Sequence, residues 1–184
     1  MSHGDGGHGE ALFERLLTLD EELAAHQRAA GCARCGGRLD RADFPRKVRG
    51  VPRWAEPFFA TRIGLCCARE GCRRRTLPAS VRFLGRKVYA AVAIVAACVA
   101  EAAHRHWQEA RRVARWLAWW REVFASSAGF AELRGRLAVP IEVGALPGSL
   151  LARLEGAESE RTLSLLRLVA GLPPPATHED GGGR

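Results

Sequence analysis

The chain has little of what would assign it quickly to a familiar class. Only six of its 184 residues are cysteine, too few for a disulfide scaffold of this length. The first ten residues, MSHGDGGHGE, are polar and glycine-rich and have no apolar stretch of the kind a secretory signal needs. The longest apolar run, Val88–Ala100, is 13 residues. That is well short of the roughly twenty that span a bilayer, so it is expected to be a buried helix and the protein soluble and cytoplasmic. G-x-S-x-G and Walker loops are absent, which argues against a serine hydrolase or a P-loop nucleotidase. The P-C-x-x-C half of the zinc-deaminase signature is missing as well. Lysine is nearly absent: Lys47 and Lys87 are the two among 28 basic side chains. Arginine enrichment also follows from GC-rich coding, so where the positive charge sits says more than which residue carries it.

What is present is a charge gradient and a cysteine pattern. Residues 1–30 hold two basic and six acidic side chains, whereas residues 31–90 hold fifteen basic and four acidic. An excess of this size over sixty residues predicts a polyanionic partner, nucleic acid in the first instance. Within the basic stretch lie Cys32 and Cys35 as C-x2-C, then Cys67 and Cys72 as C-x4-C. Two close pairs about thirty residues apart can each turn back to offer two thiolates to one tetrahedral zinc ion. Gly36, Gly37 and Gly71 supply the small residues such turns need. Cys66 adjoins Cys67, and adjacent residues rarely ligate one ion together. Cys67 is the expected ligand and Cys66 a spare.

The coarse reading is an α+β chain, a small β-rich zinc ribbon followed by a mostly helical, helix-turn-helix-like region. Residues 1–30 form an amphipathic helix, with Leu12, Leu16, Leu19 and Leu23 at helical spacing and Gly31 as the stop. Its acidic residues, Glu14, Asp20, Glu21 and Glu22, are expected on a solvated face, with packing against the basic module as the alternative. Residues 31–85, broken by Pro45, Pro52, Pro57 and Pro78, read as the ribbon, with short strands and no helix of useful length. Residues 86–136 are the helical region, with the chain reading as looser after Ser126 and Ser127. Val88–Ala103 is apolar nearly all round, and a second helix runs from Trp107 to Phe124 with a core stripe of Val113, Trp116, Leu117, Trp120 and Phe124. Trp119 falls off that stripe. Residues 137–171 hold two short helices, and 172–184 read as a disordered tail.

Arg73, Arg74 and Arg75, then Arg82, Arg86 and Lys87, follow the second cysteine pair and are expected to contact phosphates. Arg111, Arg112 and Arg115 share one helix and are candidates for base edges. The order C-x2-C, basic segment, second cysteine pair, TLPASVRFL, then RRVARWLAWWREVF resembles, over residues 31–125, short insertion-sequence proteins. It is also similar to the zinc-ribbon and helix-turn-helix front end of bacterial transposases. The resemblance implies Cys32, Cys35, Cys67 and Cys72 as zinc ligands and places Arg111, Arg112 and Arg115 on the last DNA-binding helix. It departs from that pattern in AAHRHWQEAR (102–111), which lacks the expected turn glycine. No carboxylate-bearing nuclease domain follows residue 136, so the expected function is a non-enzymatic, DNA-binding accessory or regulatory protein of a mobile element. It would have no small-molecule substrate and no membrane partner, with self-association open. The alternative is a zinc-stabilised module that binds a transposase or another protein.

Overall fold

The structure is a computed structural model that describes residues 6–48, 51, 53–83, 90–96, 110–137, 139–170 and 172. Helix α1 (Gly6–Ala30) is followed by strands β1 (Leu39–Arg41) and β2 (Phe44–Pro45), a 3-10 helix (Arg53–Phe59), and strands β3 (Thr61–Arg62), β4 (Leu65–Cys67) and β5 (Arg75–Thr76). A helical segment over 91–96 comes next. Helix α2 (Ala110–Trp119) runs into a π-helical turn (Trp120–Phe124), then come α3 (Ala128–Arg136), a short α4 (Gly148–Leu151) and α5 (Glu158–Val169). Mixed α and β structure is therefore present, as the composition of the segments predicts. Among the described residues no helix is long and apolar enough to cross a membrane.

The strands form one long, interrupted antiparallel hairpin with an added edge. β4 is central, pairing with β1 on one side (Leu39 opposite Cys67) and β5 on the other (Cys66 opposite Arg75). β2 and β3 continue the hairpin outward, with Phe44 opposite Arg62. Between the two ladders Gly64 lies so close to the other strand that a Cβ there would come 2.6 Å from the Ala42 carbonyl. Its amide donates to Asp43 Oδ1 at 3.2 Å. A side chain at Gly64 would force the ladders apart.

Two apolar clusters of very different size result. The large one joins α1, the 3-10 helix, Val81, Phe83 and the described helices after residue 90, with Trp120, Phe124, Phe130, Leu163 and Leu166 fully buried in it. The small one holds Leu39 and Leu65 together with Cys32 and Cys67. Two leucines are little apolar burial for a module of some forty residues, the size range in which a cross-link or a metal ion usually adds to stability.

Three local readings change. Trp119 is buried, not peripheral: the wide π turn, closed by Ala125 N–H to the Trp120 carbonyl at 3.1 Å, lets Trp119 and Trp120 both face the core. Their rings meet edge-on at 5.1 Å, and Trp120 meets Phe124 at 4.9 Å. Second, the basic segment does contain a helical piece, the seven-residue 3-10 helix around Pro57, where short extended stretches are expected. Third, α3 occupies a stretch that reads as loose. Ser127 caps it by accepting the Phe130 amide, while Phe130 is buried in the core. The connection between Val88–Ala103 and the following helix, and with it the helix-turn-helix arrangement, lies outside the described residues, as does the tail after 172.

Candidate metal centre

Each cysteine pair is shaped by its own backbone. In the first, Cys35 N–H (3.2 Å) and Gly36 N–H (2.8 Å) both donate to the Cys32 carbonyl, and Cys32 N–H donates to Gly37 O at 2.9 Å. Gly36 takes a φ of +67°, a turn conformation glycine adopts without strain. In the second, Cys72 and Arg73 N–H groups donate to the Arg69 carbonyl at 3.1 and 3.3 Å. Backbone amides two residues on point at three of the sulfurs, Arg34 N–H at Cys32, Gly37 N–H at Cys35 and Arg69 N–H at Cys67. Register then brings the pairs together. β1 sets Leu39 beside Cys67, and Ala68 N–H donates to Arg38 O at 2.9 Å, so the turn before β1 faces the turn after β4.

The four sulfurs of Cys32, Cys35, Cys67 and Cys72 lie within 4.8 Å of one another. Two cross-pair separations are 3.9 Å (Cys32 to Cys72) and 3.5 Å (Cys35 to Cys67). A tetrahedral ion with metal–sulfur bonds of about 2.3 Å requires edges of about 3.8 Å, so these distances bracket the expected value. They are far beyond the roughly 2.05 Å of a disulfide, and these cysteines are free thiols. The cluster is therefore compatible with a bound metal ion. Gly37 is part of the cradle: a Cβ there would meet Cys67 Sγ at 3.1 Å and Cys35 Sγ at 3.3 Å.

Electrostatics divide the four thiols. The Gly37 N–H, helped by the Cys72 and Cys67 thiols, brings Cys35 down to about 6. The Arg34 N–H lowers Cys32. The Arg69 N–H pulls Cys67 down, but burial and the three sibling sulfurs outweigh it and push it up to about 12. Four sulfurs this close cannot all ionise unaided, and a dication is what allows all four to be thiolates.

Cys66 is outside the cluster. Side chains alternate along β4, so Cys66 points to the opposite face from Leu65 and Cys67, and its thiol contacts the Arg73 carbonyl at 3.5 Å.

The expected nucleic-acid contacts separate into groups. Arg73, Arg74 and Arg75 are exposed on the second turn and the start of β5. Arg82 is not on the surface. It is 2% exposed and its guanidinium is taken up by Asp20 Oδ2 at 2.7 Å and the Phe58 carbonyl at 2.5 Å, so it has no reach to a phosphate in solution. Asp20 is equally buried and also accepts Ser80 Oγ (2.6 Å) and Val81 N–H (2.7 Å). Nearby Arg41 is gripped by both oxygens of Glu21 at 2.7 Å and by Asp43. Asp20 and Glu21 of α1 thus lie against the basic module, where a solvated face is expected. Arg86 and Lys87 fall outside the described residues. Arg111, Arg112 and Arg115 lie on α2; Arg115 is exposed, and the other two are placed by backbone alone. Sequence reasoning missed Arg34, Arg38 and Arg69, all exposed on the turns around the sulfurs. Their signal was their spacing of one to three residues from a cysteine.

No family model, characterised protein or solved structure matches the chain.

Proposed function

We propose that this chain is a zinc-stapled, DNA-binding accessory or regulatory protein of a mobile element, with no catalysis of its own. Zinc is favoured by the donor set: four soft sulfurs within 4.8 Å of one another suit a tetrahedral zinc ion, and all four positions would be filled by protein. Such a site is closed to substrate and to a catalytic water, which makes its role structural. The observation that carries the DNA reading is the way acidic residues are distributed. Helix α1 neutralises Arg41 and Arg82, whereas Arg34, Arg73, Arg74 and Arg75 stand exposed on the metal turns. Guanidinium groups fixed by a metal-tied backbone lose little freedom on meeting phosphate oxygens. Arg111, Arg112 and Arg115 on α2 would add contacts to base edges. The mobile-element context rests on the resemblance of the motif order to transposase front ends.

A second reading, a zinc-stabilised module that binds a protein, draws support from Trp54. The residue is 48% exposed while its ring meets Phe13 in a tilted contact at 5.3 Å. A salt titration separates the two. Four phosphate contacts give a slope of roughly −3.6 in log affinity against log salt, or roughly a hundredfold loss between 50 and 200 mM. A flat dependence, or no binding to duplex DNA by zinc-loaded protein, refutes the DNA reading.

A further inference from the structure

The residue after the second cysteine of each pair takes the same unusual backbone conformation. In the first pair it is Gly36, at φ +67°, with open space where a Cβ would be. In the second it is Arg73, at φ +42°, the one non-glycine with positive φ among the described residues. The left-handed region is uncomfortable for a side chain with a Cβ, and where residues other than glycine enter it they are mostly Asn, Asp or His. A glycine would satisfy the second turn as it satisfies the first. Arginine there is a local conflict in the sequence, and such conflicts concentrate where a side chain is needed for something other than the fold.

The surroundings of Arg73 say what that use is. Its backbone is fully occupied, with the amide on Arg69 O and the carbonyl accepting from Cys66. Its side chain is exposed and has no hydrogen-bond partner among the described residues; the same holds for Arg34, Arg74 and Arg75. The two turns meet at the sulfurs, since Cys32, beside Arg34, and Cys72, beside Arg73, are 3.9 Å apart at Sγ. Glu70 is the single acidic side chain within residues 31–38 and 68–76. Three unpaired guanidiniums on two turns joined at one point, with Arg75 next to them at the start of β5, suit a ligand with several phosphates in a row.

We propose that Arg73 is a phosphate-binding residue of a phosphodiester site formed by the two metal turns with Arg34, Arg74 and Arg75, and that its left-handed backbone is a strain retained for that contact. The inference rests on the DNA reading above and adds to it the strained backbone of Arg73 and the conflict between stability and binding that follows from it. Replacement by glycine removes the side chain and relieves the strain together, so binding and stability move in opposite directions. A residue with only a structural role cannot produce that pattern.

The test compares wild type, Arg73→Gly and Arg73→Lys as zinc-loaded full-length protein. Each is titrated with a random-sequence DNA duplex by fluorescence anisotropy between 50 and 200 mM KCl, and melted in parallel. Arg73→Gly is expected to keep one zinc per chain and to melt about 2 °C higher. Its salt slope should flatten by about 0.9, with roughly eightfold weaker binding at 0.1 M salt. Arg73→Lys should keep most of the slope and show no rise in melting temperature. An Arg73→Gly protein that binds with the wild-type slope, or melts lower than wild type, overturns the inference and leaves the DNA reading standing. Wild-type protein that fails to bind the duplex overturns both.

Discussion

Replacing Asp20 by alanine should do more damage than any other single change to a charged residue outside the cysteine turns. The carboxylate is 2% exposed and accepts from Ser80 Oγ, Val81 N–H and Arg82 Nε, all within 2.7 Å. Without it, Arg82 is left as a buried cation with the Phe58 carbonyl, and two further donors lose their acceptor. Breaking one side of a buried pair costs about 3–5 kcal/mol, and the stranded hydroxyl and amide overlap with that figure more than they add to it. Taking about 4 kcal/mol and a urea slope of about 2 kcal/mol/M, the unfolding midpoint should fall by about 2 M. Urea is the appropriate denaturant because, unlike guanidinium, it does not screen the pair. Trp119 and Trp120, buried in the large core, report the transition by fluorescence. The double variant Asp20→Ala with Arg82→Leu removes the stranded charge and should be more stable than Asp20→Ala alone. If Asp20→Ala stays within about 1 kcal/mol of wild type, or the double variant loses the sum of the two single losses, the pair is not what fastens α1 to residues 80–83.

Elemental analysis should find one zinc per chain. Cys32→Ser and Cys72→Ser should abolish it and unfold the strand module, whereas Cys66→Ser retains both metal and fold. Gly37→Ala should keep the fold but lose zinc to a chelator about tenfold more readily, because its methyl group intrudes on Cys67 and Cys35. Retention equal to wild type would mean the sulfurs have room that the distances deny.

The cysteine cluster was legible because its determinants are local. Two turns, each closed within six residues, announce themselves by cysteine and glycine spacing, and adjacency says that one of Cys66 and Cys67 stays out; which one is fixed by strand register, with Cys67 opposite Leu39. Arg82 was not legible. In a run of basic residues it looks like Arg75, and what distinguishes it is a partner 62 positions earlier in the chain. Charge counting averages over such pairs: it saw an acidic helix and a basic module but not that Asp20 and Glu21 are spent on Arg82 and Arg41. Trp119 escapes an ideal 3.6-residue period because the helix widens into a π turn just after it. Helix α3 carried a readable start in Ser127, but the serine pair before it looked like loop. Arg73 shows the opposite limit, since its identity is plain in the sequence and its strained backbone is not.

The Asp20–Arg82 pair also imposes an order on biosynthesis. Translation at about 5–20 residues per second separates these two residues by roughly 3–12 s. Cys72 is made ten residues before Arg82, so all four sulfurs exist before the carboxylate of α1 can be neutralised. During that interval α1 has an acidic group without its Arg82 partner and an apolar stripe covered in part, by Trp54 and Phe59 of the 3-10 helix against Phe13, while Phe83 and the later helices of the same core are still to come. If the four sulfurs hold zinc as proposed, the strand module can close on its two turns and the ion during this time. Metal capture would then precede helix docking along the nascent chain, and a cell short of zinc would meet the failure early, while the N-terminal helix still lacks its anchor.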